Sequence, residues 1–159
     1  MNRPLVPVLH GVEALNDLRV RPDEEDTLVT VKSVVAALER LGYEAEPVRT
    51  GFELEPLKSL AGRNPLAVFN LVESIGGDDA LAFLPCITLD HLKMPYTGVR
   101  GDAQLLIRSK AQTKYLLRLQ GLPTPDWWEP GQSVPSHRKV IVKSVRQHAS
   151  LGLDTLSVV

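Results

Sequence analysis

Short apolar segments and helical repeats alternate along the first half of the chain, and each predicts one element. Residues 5–9, 44–48 and 66–72 predict β-strands, and the last of these (LAVFNLV) is a run of apolar residues broken only by Asn70, typical of a parallel strand covered on both faces. Between the first two strands, apolar positions recur at helical spacing over 27–41. Asp26 or Thr27 is expected to cap this helix and Gly42 to end it, after an extended polar loop over 13–26.

The order of the predicted elements indicates an α/β fold. A short helix from Pro85 to about Leu92 completes a series of strand, helix, strand, turn, strand, loop and helix. Such connections predict a Rossmann-like parallel sheet with helices on both faces and ligands at the carboxyl ends of the strands. Glu73, Asp78 and Asp79 follow the third strand, so they are candidates for holding a substrate amine. The alternative is a solvated loop and a helix cap.

The second half of the chain predicts a helix with an unusual first turn. Ser109 and Gln112 have the spacing of a capping box, so Ser109 should cap a helix that ends before Gly121. Lys110 then lies in the first turn, where the helix dipole disfavours a cation unless an anion binds nearby. The alternative is an ordinary solvated lysine.

A predicted strand that ends on a lysine is the second notable feature of this half. Residues 139–143 (KVIVK) are rich in β-branched residues and end at Lys143, and a loop of small residues follows, with His148, Ser150 and Gly152. Backbone N–H groups in such a loop donate to anionic oxygens, and the lysine ammonium adds a full charge. The segment therefore predicts phosphate binding.

Composition and charge narrow the classes of function. With a net charge of −1 and no basic stripe, the chain is not expected to bind nucleic acid, and no apolar run approaches the ~20 residues of a membrane span. Cys86 is the single cysteine and the four histidines lack metal-ligand spacing, so neither a disulfide framework nor a metal site is predicted. The expected location is the cytoplasm.

Several short motifs occur in the order that one known family uses. They are VFNLV at 68–72, GGDD at 76–79, PYTG at 95–98, SK at 109–110, GLPTP at 121–125 and VIVK at 140–143. Together they resemble the D-alanine–D-alanine ligase branch of the ATP-grasp superfamily, over roughly residues 66–159. The resemblance implies a pre-ATP-grasp domain over 1–100, followed over 101–159 by linker helices and an incomplete first lobe of the ATP-grasp domain.

The same resemblance implies a nucleotide site and a reaction. Lys110 and Lys143 are expected to contact the phosphates of ATP, and the small-residue loop to close over them through Ser150, Gly152 and His148. A carboxylate would attack the γ-phosphate to give an acyl phosphate, which an amine captures to form an amide. The ligands of Mg²⁺ are expected beyond residue 159.

Substrate recognition is implied by resemblance as well. The ligases hold a substrate amine through a glutamate in their first loop, and here Asp23, Glu24 or Glu25 could substitute for it. Glu73 and Ser74 stand where the ligases carry a His-Gly pair. The expected partners are ATP and small amino-acid-like substrates.

Two hypotheses for the whole chain stay open. The first is the N-terminal part of an ATP-dependent carboxylate–amine ligase, inactive as these 159 residues alone, whether fragment or truncated relative. The second is a non-catalytic Rossmann-like module for binding or dimerisation. An unpaired strand edge invites pairing with another chain, so a homodimer is a further option.

Alternatives also stay open for individual side chains. Trp127 and Trp128 stack on adenine or, as the favoured alternative, pack between domains. Gly76 and Gly77 form a phosphate-cradling turn or, as the favoured alternative, a plain tight turn. Lys114 is expected to be ordinary surface.

Overall fold

A computed structural model describes residues 3–11, 22–146 and 153–159, and for residues 22–24 it describes the backbone alone. The chain divides into two units, Met1–Leu105 and Leu106–Val159. Within the described residues, no helix has the length and apolar character that crossing a membrane requires.

A parallel sheet lies at the centre of the first unit. Its strands are β1 (Val8–His10), β2 (Pro47–Arg49) and β3 (Phe69–Asn70), in the order β2-β1-β3. Val8 is in register with Pro47 on one side and with Phe69 on the other, and both pairings are parallel. The predicted parallel α/β architecture is therefore confirmed, although the regular strands are shorter than the apolar segments that predict them.

Helix α1 (Pro22–Arg40) follows β1 and begins earlier than predicted. Asp26 and Thr27 lie inside the helix, so the prediction that either caps it is wrong, and the Thr30 hydroxyl donates to the Asp26 carbonyl at 2.9 Å. Proline suits the first helical position, and the acidic residues after it suit the positive end of the dipole. Gly42 has a φ of 90° just after the helix, as its predicted role at the helix end requires.

Two helices were missed by the sequence pattern. Helix α2 (Glu55–Gly62) occupies the segment between β2 and β3 that was predicted to be a turn, and Leu57 and Leu60 are its buried residues. Helix α3 (Phe83–His91) begins two residues before the predicted start at Pro85. The other helix that the pattern did not predict, α4 (Gly101–Ile107), lies where the family resemblance implies linker helices, and the Gly101 N–H donates to an Asp90 carboxylate oxygen at 2.9 Å.

The hydrophobic core of the first unit joins the sheet to α2 and α3. Its fully buried members include Leu9 on β1, Leu57 on α2 and Leu89 on α3, with Ile75 from the loop after β3. Burying a leucine or isoleucine side chain contributes about 1.5–3 kcal/mol, so each of these residues stabilises the first unit substantially. On the other side, α1 packs against β1 and β2. The helices therefore fix the positions of the strand ends.

The second unit contains helix α5 (Lys110–Leu119) and a short antiparallel β-pairing. The predicted strand over 139–143 is reduced to a bridge between Ile141 and Val158. The Val142 N–H donates to the Ser157 carbonyl at 2.8 Å, and Val140 and Val159 exchange two hydrogen bonds of 2.8 and 3.0 Å. We call residues 140–142 and 157–159 the terminal ribbon.

Candidate functional site

The carboxyl ends of β1 and β3 lie against each other in the first unit. A Cβ atom on Gly11, directly after β1, would lie 2.0 Å from the Ser74 carbonyl oxygen. No side chain fits there, since contacts below 3.0 Å require the backbone to move. Gly11 therefore permits the close approach of the two strand ends at the edge where ligands of parallel sheets bind.

The acidic residues after β3 have different environments. Glu73 is exposed, whereas Asp79 is buried. The Asp78 carboxylate accepts a hydrogen bond from the Ala80 N–H at 2.9 Å and thereby caps the 3₁₀ helix Asp79–Leu81. Of the two alternatives for Asp78, the structure thus shows the helix cap. Glu73 is exposed at the edge and stays a candidate substrate ligand.

Gly76 and Gly77 form a tight turn. Both have positive φ, 58° and 76°, and Ile75 and Asp78 on either side exchange backbone hydrogen bonds of 3.2 and 3.1 Å. The Phe52 ring lies against Gly76, so that a Cβ atom there would be 2.7 Å from the ring. The glycines are explained by the turn and by this contact, as the plain alternative predicts.

Asp23 and Glu24, the predicted ligands for a substrate amine, lie in the first turn of α1. The described part of the predicted loop, 22–26, is helical, so the expectation of an extended loop is wrong there. The side chains of Asp23 and Glu24 lie outside the described residues, and their substrate role stays a prediction. Glu25, the third alternative, is exposed.

Two buried polar groups near the strand ends were missed by the sequence analysis. His10 is 8% exposed and Thr50 is 1% exposed, and neither His10 Nδ1 nor Thr50 Oγ1 has a hydrogen-bond partner among the described residues. Burial, with the nearby Arg49 guanidinium, lowers the pKa of His10 below its usual value. The position of His10 at the end of a predicted buried strand was the sequence signal that could have indicated a buried histidine.

A cluster of polar groups lies between β3 and α3. The Asn70 amide donates to Cys86 Sγ at 3.4 Å, and burial raises the pKa of the Cys86 thiol. Burial, with the nearby Asp90 carboxylate, raises the pKa of Tyr96 to about 12. Both groups are therefore protonated near neutral pH, and a protonated buried thiol is a poor nucleophile.

The start of α5 is joined to the residues just after Lys143. Ser109 caps the helix as predicted, its hydroxyl accepting from the Gln112 N–H at 3.4 Å. The Lys110 N–H donates to the Val145 carbonyl at 3.0 Å. Because Val145 is two residues beyond Lys143, this bond brings the backbones of the two predicted phosphate-binding lysines together. Lys110 is half-buried and Lys143 is exposed.

The loop after this joint is described only at its ends. His148, Ser150 and Gly152, the other predicted phosphate contacts, lie outside the described residues. Just after the part of the loop that is not described, Asp154 caps a 3₁₀ helix (Thr155–Ser157) that leads into the terminal ribbon. The structure thus describes the two lysines and both ends of the loop.

Lys114 and Trp127 both contact other residues of the second unit. The Lys114 ammonium donates to the Pro125 carbonyl at 2.8 Å and to the Thr124 hydroxyl at 3.3 Å, so it is more than ordinary surface. Trp127 lies edge-on to Tyr115 with ring centroids 4.9 Å apart. Trp127 therefore packs on α5 within its own unit, which fixes the proline-rich segment after the helix.

A magnesium site does not fit the described residues. No group of three or more His, Cys, Asp or Glu side chains among them could hold a metal ion. Mg²⁺ requires several oxygen ligands in near-octahedral arrangement, which isolated carboxylates do not supply.

Comparisons with known proteins identify D-alanine–D-alanine ligases among the relatives of this chain. No family model matches the chain. The D-alanine–D-alanine ligase of Granulibacter bethesdensis is 30% identical over 138 residues, covering 82% of this chain and 43% of the relative. That of Glaesserella parasuis is 34% identical over 145 residues, covering 85% of this chain and 46% of the relative. The chain thus spans less than half the length of these curated relatives.

Solved structures give the same fold. A crystal structure of D-alanine–D-alanine ligase from Bacillus anthracis matches 94% of this chain and 48% of its own, with a TM-score of 0.65 and 18% identity. The structure of the ligase from the same organism complexed with ATP matches 80% of this chain and 38% of its own, with a TM-score of 0.58 and 21% identity.

Proposed function

Because this chain is D-alanine–D-alanine ligase-like over 82% of its length, we propose that it is the N-terminal part of an ATP-dependent carboxylate–amine ligase. Residues 1–100 form the pre-ATP-grasp domain in this proposal, and residues 101–159 form the linker helices and part of the first ATP-grasp lobe. The substrates are small and amino-acid-like. A cytoplasmic location follows from the need for ATP.

The observation that supports a nucleotide role best is the backbone bond between Lys110 and Val145. It places a helix start and the end of the Lys143 segment side by side. A lysine in the first helical turn is electrostatically unfavourable alone, but a phosphate bound there is attracted both to the positive end of the helix dipole and to the ammonium. We assign the ATP phosphates to Lys110 and Lys143, with His148, Ser150 and Gly152 as further contacts.

The chemistry assigned to such a site is mainly electrostatic. A substrate carboxylate attacks the γ-phosphate of ATP, ADP leaves, and an amine displaces phosphate from the resulting acyl phosphate to form an amide. The lysines stabilise the negative charge of the transferring phosphoryl group and hold it in position. Glu73, with Asp23 or Glu24, is assigned to the substrate amine. Since the described residues do not fit Mg²⁺, the proposal gives the ion no ligand and no step there.

The proposal is tested by titrating the ¹⁵N-labelled chain with ATP and following amide shifts. A charged hydrogen bond contributes about 1.5–3 kcal/mol, so Lys110→Met and Lys143→Met should each weaken binding by roughly tenfold to a hundredfold. Lys139→Met is the matched control, because Lys139 is an exposed lysine four residues from Lys143 and loses the same charge. Equal affinities for Lys143→Met and Lys139→Met would contradict the assignment.

Turnover is tested separately. We propose that the 159 residues alone release no phosphate from ATP in the presence of an amino-acid mixture. Release above that of a Lys110→Met, Lys143→Met double variant would show that the chain is active by itself. If neither Lys110→Met nor Lys143→Met changes the affinity for ATP, the hypothesis of a non-catalytic module is favoured instead.

A further inference from the structure

Asp154 caps the turn that follows the candidate phosphate loop. One Asp154 carboxylate oxygen accepts from the Leu156 N–H at 2.8 Å, from the Ser157 N–H at 3.0 Å and from the Ser157 hydroxyl at 3.1 Å. The Asp154 N–H donates to the Ser157 hydroxyl oxygen at 3.0 Å. These four bonds form a reciprocal capping box that closes the turn Asp154–Ser157.

This turn is hydrogen-bonded to the strand that carries Lys143. The Ser157 carbonyl accepts from the Val142 N–H, directly before Lys143, at 2.8 Å. On the other side of the lysine, the Val145 carbonyl accepts from the Lys110 N–H. The backbone at Lys143 is thus fixed from two directions, by the start of α5 and by the turn that Asp154 closes.

We propose that Asp154 is a positioning residue for Lys143, which acts by ordering the terminal ribbon rather than by touching the nucleotide. The inference rests on the proposed function, because it assigns Lys143 to the phosphates of ATP. Its physical basis is that an apparent dissociation constant rises as the fraction of chains in the binding-competent arrangement falls. Loss of the capping box should lower that fraction.

Simple electrostatics predicts the opposite effect of Asp154→Ala on the affinity for ATP. Asp154→Ala removes a negative charge near a site for a polyanion, which by itself should strengthen binding of ATP. Asp126→Ala removes the same charge from an exposed position in the same unit, where Asp126 pairs with Arg118 and Arg138. Asp154→Asn removes the charge but keeps an oxygen that caps as well as aspartate does.

The experiment measures ATP affinity for these variants by the same amide-shift titration. We expect Asp154→Ala to bind about threefold to tenfold more weakly, while Asp154→Asn stays within about twofold of wild type. Asp126→Ala should bind equally or slightly better. Ser157→Ala, which removes the other half of the box, should weaken binding in the same direction as Asp154→Ala. Unchanged or tighter binding by Asp154→Ala would overturn the inference.

A double-variant cycle separates positioning from general loss of structure. If Asp154 acts through Lys143, adding Asp154→Ala to Lys143→Met should change affinity by less than twofold, because the contact it positions is already gone. If the double variant instead loses affinity by the product of the two single effects, the inference is overturned. Lys143→Met that binds like wild type refutes the proposed function itself, whereas a weak Lys143→Met beside a normal Asp154→Ala refutes only the positioning role.

Discussion

Thr50 presents a polar atom that the fold buries without a partner, so replacing it by valine should stabilise the protein. Its side chain is 1% exposed, and Oγ1 has no hydrogen-bond partner among the described residues. An unsatisfied buried hydroxyl costs about 1–3 kcal/mol, and valine has nearly the same shape without that cost. We expect Thr50→Val to raise the free energy of unfolding by about 1 kcal/mol, part of the full penalty.

Two further threonine variants test this explanation. Thr50→Ser keeps the hydroxyl and loses a buried methyl group, so it should lower the stability by roughly 1 kcal/mol. Thr88→Val is the matched control in the same unit, because the Thr88 hydroxyl donates to the Leu84 carbonyl at 2.9 Å. Removing a satisfied hydrogen bond should cost about 0.5–1.5 kcal/mol, the opposite sign to Thr50→Val.

Urea unfolding followed by circular dichroism measures all three differences. A stabilisation of 1 kcal/mol should also raise the melting temperature by roughly 2–6 °C. If Thr50→Val is less stable than wild type, or shifts in the same direction as Thr88→Val, the Thr50 hydroxyl has a favourable interaction and the reasoning is refuted.

Three other predictions concern single side chains. Gly11→Ala should destabilise the first unit by about 1–3 kcal/mol in urea unfolding, since its methyl group meets the Ser74 carbonyl, and wild-type stability would contradict that close approach. Ser109→Ala should cost about 1 kcal/mol by the same measurement, and no loss would contradict its cap. The pKa of His10 is lowered in the folded state, so its contribution to stability is complete above about pH 6.5 and falls as pH decreases below that value. His10→Gln should therefore flatten the loss of stability between pH 7 and 5, and an unchanged slope would contradict the burial of a neutral His10.

The sequence predicted the parallel sheet because its signals are local. A run of apolar residues broken only by Asn70, such as LAVFNLV, is compatible with few environments other than a covered strand. The cap at Ser109 was predicted correctly for the same reason, since a capping box involves residues three positions apart. Both features depend on neighbours in sequence, and so a single sequence contains them.

The features that were missed depend on distant partners or weak patterns. Helix α2 has only two buried residues, Leu57 and Leu60, and its segment between β2 and β3 was predicted to be a turn. The segment 139–143 has high β-propensity, but its pairing is decided by residues 157–159 across the loop. The residues next to Thr50 in the sequence do not indicate that its hydroxyl is buried. Tertiary packing determines each of these.

Two lysines one turn apart on α5, Lys110 and Lys114, have different surroundings in the structure. The Lys114 ammonium is bound to the Pro125 carbonyl and the Thr124 hydroxyl, and it lies 5.5 Å from the centre of the Trp127 ring. Its charge therefore holds the chain that follows the helix. Lys110 lies instead in the first turn of α5, at the positive end of the helix dipole, and its backbone N–H is bonded to the Val145 carbonyl of the Lys143 segment. Lys114 thus stabilises the packing of the second unit, whereas Lys110 is the residue that we propose to contact a phosphate.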